Sequence, residues 1–382
     1  MTTQLELAQT HQSRIITRTE QATQDAVDLW GRVDVNNLDT SWAAWGPQIV
    51  AKATTVQYAN AVDSQRYLNQ VARAAGAGSA DPIIPSSFVG IDGSGRGIDT
   101  LLFGAVTTTK QGIGAGMGLT DAFHAGASYL AAMMKTALHD VGRSSDLTAM
   151  MGKSYTHYVR VVSAGACSRC AILAGIGSAA RPFSRHVGCQ CTAAPDTTRG
   201  NGIYQSPGEY FDSLSKAEQD RVFTKAGAEA IRSGADPIKV VDSRRGMSRG
   251  ALVKGNGSGR LTPVRIGTHP DGTPVWGYTT GEGGTRRGSF GRRNENMGIG
   301  VEKAGDRRYS TVKRTRLMPE TIIGLTDDPE MRRVLLRDAG YLDYPIRDYS
   351  NNDWITEHQR LMLADRAEAD RFYRAHGIQL TH

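Results

Sequence analysis

Long apolar runs are absent from the sequence. No stretch reaches the roughly 18 consecutive apolar residues needed to span a bilayer, and residues 1–14 lack the apolar core of a secretory signal peptide. The chain is therefore expected to have no membrane partner and to be made and used in a cytosol. Its 382 residues allow two or three domains with a sizeable core.

Cysteine is scarce, and all four cysteines fall within a short segment as Cys167-x2-Cys170-x15-His186-x2-Cys189-x-Cys191. Disulfides are rare in a reducing cytosol, so crowded thiols point to a metal. Two thiolates separated by two residues commonly supply two tetrahedral zinc ligands. The spacing predicts a closed structural zinc site that uses either the four thiolates or three thiolates with His186, which leaves one of the five candidates spare.

Acidic residues are absent between Cys167 and Cys191. A catalytic zinc keeps an open position and usually has a carboxylate nearby, and zinc deaminases need a Glu two residues after their His, where this chain has Gly188. Both forms of zinc chemistry are therefore disfavoured. Two disulfides, inert buried thiols beside an ordinary surface His186, and a Cys–His protease pair stay open as alternatives.

A phosphate-binding loop is also missing. The glycines at 112, 114, 116 and 118 alternate, but no Gly-Lys-Ser/Thr follows them and no convincing strand precedes them. Residues 76–119 are instead predicted to form a loop, with one short element near Leu101–Val106. His124 and Ser128 are four residues apart on a predicted helix and could pair as base and nucleophile, although a solvated helix face is the simpler interpretation.

Hydrophobic periodicity predicts a mainly α (α+β) fold. We expect helices in residues 1–78 on either side of a break near 33–47, with Pro47 in a first turn. Trp30, Trp42 and Trp45 are expected to be packing anchors. Helices are further predicted at Thr120–His139, from the capping box Ser206–Glu209, from the capping box at Ser215 to Arg232, at Met318–Ala339 and at Asn352–His376. A strand is predicted at Ile238–Val241, and a strand or hairpin around Val275, Trp276 and Tyr278.

Composition divides the chain into five predicted segments. The 44 glycines indicate long irregular stretches between the helical parts. The segments are an N-terminal helical region (1–78), a Gly/Ser/Pro-rich connector (79–119), a helical domain stapled by the Cys/His group (120–245), a basic Gly/Arg-rich segment (246–316) and a C-terminal helical segment (317–382).

Positive charge is concentrated in one stretch. From Arg244 to Arg316 the chain has 16 Lys and Arg residues against five acids, a local net charge of +11, so the remainder is net negative. Such a segment with scattered aromatic residues can follow a phosphate backbone without reading its sequence. A solvated linker is the equally weighted alternative. The candidate nucleic-acid contacts are Arg286, Arg287, Arg292, Arg293, Arg307 and Arg308.

The cysteine region resembles the phage Mu F-like minor head proteins, especially those of phages that infect actinobacteria. The resemblance rests on CSRCAILAG (residues 167–175), on residues 183–192 and on Pro195, and it extends to the short runs 209–211, 217–219 and 234–236. It covers roughly residues 120–245. Residues 250–382 carry no motif of that family.

This resemblance implies a minor capsid protein that acts in head morphogenesis, present in few copies at the portal and the procapsid interior. The implied partners are the portal protein and capsid or scaffold proteins, with packaged DNA as a further one, and the implied location is the virion, after assembly in the host cytoplasm. The family brings no catalytic residues, so no enzyme is expected. A capsid maturation protease based on His124 and Ser128, and a zinc-dependent nucleic-acid-binding module, stand as alternative functions.

Overall fold

The protein is described here from a computed structural model. Two compact units divide the chain, Met1–Tyr210 and Phe211–His382. The fold is mainly helical, with 59% helix and 11% strand, as the sequence predicts. The structure describes residues 3–79, 81–196, 206–244, 263–303, 309–344 and 353–380, with side chains for all of these except 353–356.

Long helices form most of the first unit: α1 (Gln4–Trp30), α2 (Leu38–Ala74), α3 (Ile98–Gly114) and α4 (Leu119–Gly152). Thr3 begins α1 with a capping box shared with Glu6. The core between these helices is apolar, and Trp30 stacks on Phe123 with ring centroids 5.0 Å apart. Trp42 and Trp45 pack against the same core, in agreement with the prediction that the tryptophans are anchors.

The predicted position of Pro47 in a first turn is wrong, because Pro47 lies inside α2. A proline there leaves the carbonyl of Ala43, four residues earlier, without its helical donor. Ala43 and Pro47 are both exposed, so water can reach that carbonyl, while Ile49 and Ala53 bury the opposite face. Packing of that face outweighs the local penalty.

The prediction for residues 76–119 is wrong in extent, because the short element expected near Leu101–Val106 is part of α3, which runs from Ile98 to Gly114. Ile98, Leu102 and Val106 belong to a buried face of α3 that glycines and serines on either side obscure in the sequence. The alternating glycines end this helix and begin the next: Gly116 has a φ of +87°, and Gly118 caps α4. Helix α4 confirms the predicted helix at 120–139 and continues beyond it to Gly152.

A small sheet completes the first unit. Strand β1 (His157–Val161), the short helix α5 (Ser168–Ala171), β2 (Gly175–Ser178) and β3 (Thr192–Pro195) follow one another along the chain. Strand β1 is central and antiparallel to both neighbours, in the order β2-β1-β3.

The remaining elements are shorter. The boundary between the units falls within helix α6 (Pro207–Asp212). The helices that follow are α7 (Lys216–Phe223), α8 (Lys225–Arg232), α9 (Pro237–Asp242), α10 (Ser289–Asn296), α11 (Pro319–Leu325), α12 (Pro329–Asp338) and α13 (Asp353–Ala375). The strands are β4 (Val264–Thr268), β5 (Pro274–Gly277), β6 (Thr279–Thr280), β7 (Val301–Glu302), β8 (Thr311–Val312) and β9 (Arg316–Leu317). Strands β4 and β5 form the hairpin predicted around Val275. Among the described residues, no helix is both long and apolar enough to cross a membrane.

Three predictions in this region need correction. The single helix expected at Met318–Ala339 is split into α11 and α12, because Thr326 is extended and Asp328 caps a new helix. The helix expected from Ser215 to Arg232 is broken at Thr224, whose φ of +67° ends α7 and whose hydroxyl caps α8. The strand expected at Ile238–Val241 is helical, because the Asp236 carboxylate accepts from the Ile238 and Lys239 amides and starts α9. Local capping outweighs the β preference of the Ile-Lys-Val-Val run.

Candidate metal centre

The topology of the small sheet brings the two halves of the cysteine motif together. Arg160 near the end of β1 pairs with Gly175 at the start of β2, and Val161 pairs with Thr192 at the start of β3. The chain leaving β1 carries the first cysteine pair, and the chain entering β3 carries the second. Both pairs therefore lie at one end of the sheet, although about 20 residues separate them in sequence.

We call the side chains of Cys167, Cys170, His186, Cys189 and Cys191 the Cys/His knot. The His186 Nε2 atom lies 3.2 Å from Cys167 Sγ and 3.1 Å from Cys170 Sγ, and the sulfurs of Cys170 and Cys189 are 3.4 Å apart. The potential ligand atoms form two groups, each with all its atoms within 4.8 Å of one another. One is Cys167, Cys170 and His186, and the other is Cys170, Cys189 and Cys191, so Cys170 is common to both.

The orientation of His186 suits metal binding. Its Nδ1 lies 2.7 Å from the Val187 carbonyl oxygen, to which it can donate. That tautomer leaves the lone pair on Nε2, the nitrogen that faces the sulfurs. The imidazole is half-buried, whereas Cys170, Cys189 and Cys191 are buried and Cys167 is exposed.

Electrostatics within the cluster separate thiolates from thiols. A hydrogen bond from Cys170, together with backbone N–H groups of Cys170 and Arg169, lowers the pKa of Cys167 to about 5, against the opposing effect of desolvation. Bonds from Cys170 and Cys191 likewise lower the pKa of Cys189. Cys170 has a raised pKa, first because its thiol is hydrogen-bonded to Cys167, Cys189 and Cys191, and further because burial and the nearby Cys191 disfavour another thiolate. A bound dication would remove that conflict.

Two buried arginines hold the loop that carries the second cysteine pair. Arg143 of α4 donates to the carbonyl oxygens of Cys189 and Cys191 at 2.9 and 3.2 Å, and its other nitrogen donates to Asp140 at 2.7 Å. The Arg160 guanidinium lies 4.0 Å above the Phe183 ring, and one of its nitrogens is 3.9 Å from Cys189 Sγ. These cations offset thiolate charge and fix the backbone around the knot.

A buried ionic network connects β3 to the helices. His11 of α1 is fully buried between Asp63 of α2 and Asp146 of α4, with 3.0 Å from Nδ1 to Asp63 and from Nε2 to Asp146. Asp146 also accepts from the Thr192 hydroxyl at 3.1 Å, and Tyr67 stacks on His11 with ring centroids 4.4 Å apart. Strand β3 is thereby attached to three helices.

The sequence analysis missed this network, and only one signal could have revealed part of it. His11 lies on the same helical face as the apolar Ala8 and Ile15, so it interrupts a buried stripe. Its partners are 52 and 135 residues away along the chain. Single-sequence spacing carries no information about such distant pairs.

The candidate base and nucleophile, His124 and Ser128, do not form a hydrogen-bonded pair. His124 and Ser128 are both exposed on α4, and among the described hydrogen bonds none joins them. Their four-residue spacing therefore places them on a solvated face, the simpler of the two sequence interpretations.

The candidate nucleic-acid contacts have different environments. Arg286, Arg287 and Arg292 are exposed, and Arg286 pairs with Glu295 at 3.0 Å. Arg293 is instead turned toward the protein and donates to the Tyr344 hydroxyl, so it is not part of an open basic surface as the sequence suggested. Arg307 and Arg308 lie outside the described residues.

Comparison with known proteins found no matching family model, no matching curated protein and no matching solved structure. The site is therefore interpreted from its own chemistry, as a Cys/His group that could hold a metal ion.

Proposed function

We propose that the chain is a structural minor head protein of a tailed bacteriophage, similar to the Mu F-like family, and that its Cys/His knot holds a structural zinc ion. The observation that carries the proposal is the meeting of both halves of the cysteine motif at Cys170. The resemblance implies a knot from these same residues. Their convergence supports it independently of the sequence pattern.

The donor set suits zinc. Soft thiolate sulfurs and a neutral imidazole are the ligands of closed structural zinc sites, and the ligand groups contain only cysteine and histidine among the described residues. Cys170 is common to both ligand groups, so we propose it as one of the four ligands, with the other three drawn from Cys167, His186, Cys189 and Cys191. Zinc would supply binding free energy of roughly 10–16 kcal/mol to the fold of this region.

The proposed role is assembly rather than catalysis. The knot would fix the loops at the end of the sheet, while the Arg143 and His11 contacts join that sheet to helices α1, α2 and α4. A rigid surface of this kind suits docking to the portal protein and to capsid or scaffold proteins. The proposed location is the portal vertex or capsid interior of the virion, with assembly in the host cytoplasm.

Quantitative mass spectrometry of purified procapsids, made by co-expressing the chain with its cognate portal, capsid and scaffold proteins, tests this role. The proposal predicts a few copies per particle, retained only when the portal protein is present. The proposal would be contradicted if the chain were absent from the particles, or if it were incorporated in many copies whether or not the portal protein is present. Cleavage of the capsid protein that Ser128→Ala abolishes would favour the maturation protease instead.

A second candidate function, nucleic-acid binding by the second unit, is favoured by one surface feature. Arg286, Arg287 and Arg292 line an open cavity of about 1020 Å³ together with Tyr309, which is 54% exposed. Cations beside an aromatic ring suit a single-stranded polyanion. DNA binding that weakens steeply with salt, and that Arg286→Gln/Arg287→Gln reduces while the exposed Arg333→Gln does not, would support it. Equal effects of these variants would exclude this surface.

A further inference from the structure

A second cavity of about 530 Å³ lies within the second unit, next to the Arg286 surface, with which it shares Arg292 and Asn296. Its walls come from α9, α10, α13 and the chain after α12. The volume falls in the range of small-molecule sites. Phe290, Met362 and Leu363 provide apolar walls. Arg292 is a cation of the lining, while Lys239 is paired at 2.6 Å with Asp343, a carboxylate of the same lining.

Arg293 gives this cavity an unusual polar wall. Its Nε atom is buried and has no hydrogen-bond partner, and among the described residues no carboxylate lies within ion-pair distance of its guanidinium. Its one hydrogen bond goes to the Tyr344 hydroxyl, a neutral acceptor. Arg293 as a whole is half-buried, and a partly desolvated guanidinium without an ion-pair partner is costly.

The carboxylates nearest to Arg293, Asp338 and Asp365, act on it only from beyond ion-pair distance, because each is paired with another arginine. The Tyr344 hydroxyl donates to Asp365, and that carboxylate is already paired with Arg337 at 2.6 Å. His358 has a second unsatisfied polar atom, because its Nδ1 is also buried without a hydrogen-bond partner. Desolvation and the adjacent Arg293 lower the pKa of His358, so its ring is neutral at physiological pH and offers a donor or an acceptor.

We propose that this cavity binds a small organic carboxylate, with its carboxylate against Arg293 and His358 and its apolar body against Phe290, Met362 and Leu363. A planar carboxylate matches the fork of a guanidinium and can accept from the free Nε. The bound ligand would thus give hydrogen-bond partners to Arg293 Nε and His358 Nδ1, and its apolar body would cover the apolar wall. This binding activity is independent of the proposed head-assembly role.

Isothermal titration of the full-length protein with hydrocinnamate and with its uncharged amide, hydrocinnamide, tests the proposal. Saturable binding of the acid, with binding of the amide weaker by about tenfold or more, is expected because a charge-assisted bond is lost. Equal binding of both compounds, no binding of the acid, or binding of phenyl phosphate in preference to the acid would overturn it.

Variants locate the site. Arg293→Gln should weaken hydrocinnamate binding by about tenfold or more, whereas Arg333→Gln, which removes an exposed arginine outside the cavity, should leave it unchanged. Met362→Trp is a second test that does not depend on the stability of Arg293→Gln. It keeps the Arg293 guanidinium but fills the apolar part of the cavity, so it should also block binding. Unchanged binding in a folded Met362→Trp protein would overturn the assignment.

Discussion

Individual residues of the knot differ in how they would respond to a metal. Cys170 is common to both ligand groups, Cys167 is the exposed member, and His186 presents Nε2 to the sulfurs. The sequence predicts all five candidates from spacing alone, because CxxC and HxxCxC are local patterns. It could not predict the supporting Arg143 and Arg160, since their contacts depend on how the sheet meets α4.

Cys167 should be the most reactive thiol of the metal-free protein. Its pKa of about 5 makes it a thiolate at neutral pH, and its side chain is exposed. Brief iodoacetamide treatment followed by peptide mass spectrometry should find Cys167 alkylated well before the buried Cys191, and prior zinc loading should suppress that reaction. Equal labelling of the two, or no protection by zinc, would count against the proposed arrangement.

The buried His11 predicts a specific dependence of stability on pH. Desolvation opposes its protonation, but the charges and hydrogen bonds of Asp146 and Asp63 prevail and raise its pKa from 6.5 to about 9. Because the folded pKa exceeds the unfolded one, the stabilisation is fully present below about pH 6.5 and is lost as the pH rises through about 9. The shift corresponds to something on the order of 3 kcal/mol.

Urea denaturation of zinc-loaded protein at about pH 6 and about pH 9.5 measures this effect. The wild type should lose unfolding free energy between the two pH values, and His11→Gln should be less stable than wild type at the lower pH, by about 3 kcal/mol or more. A His11→Gln protein with the wild-type pH profile would show that His11 is not the titrating group.

At the scale of elements, periodicity predicted the helices whose apolar faces are uninterrupted, such as α4 and α13. It failed at α3, where glycine and serine on both sides obscured a buried face, and at Pro47, where packing outweighs a local penalty. It also failed at α9, where a single capping carboxylate decides between helix and strand. Tertiary packing and capping, rather than composition, decided each of these cases.

Close packing between α3 and α4 predicts an asymmetric response to substitution of glycine by alanine. A Cβ atom at Gly126 would lie 2.1 Å from the Thr109 hydroxyl and 2.9 Å from the Ala105 carbonyl oxygen. Gly126→Ala should therefore destabilise the protein by about 1–3 kcal/mol. Gly114→Ala, at a position with no atom within 4 Å, should be neutral or slightly stabilising. Thermal denaturation of the two variants compares them directly, and equal stability would contradict the tight contact.

At the scale of the whole molecule, the mainly helical class follows from the sequence, while the division into units at 210 and 211 does not. That boundary falls inside the segment 120–245 that composition assigned to one domain. The knot, the His11 network and the sheet all belong to Met1–Tyr210, whereas the proposed carboxylate cavity belongs to Phe211–His382.

Metal removal should therefore affect one unit selectively. Differential scanning calorimetry of the full chain, before and after treatment with a strong chelator, should show one transition lowered by at least about 10 °C and another unchanged. Hydrocinnamate should raise only the transition that chelation leaves unchanged. Loss of both transitions together on chelation would contradict a metal site confined to the first unit.

Elemental analysis of the purified protein, for the wild type and for Cys167→Ser/Cys170→Ser, tests the central claim most directly. The account predicts one zinc per wild-type chain and none in the double variant, with a matching loss of thermal stability. A wild type without metal, with four titratable or disulfide-bonded thiols, would contradict the structural zinc site and weaken the case for a Mu F-like head protein.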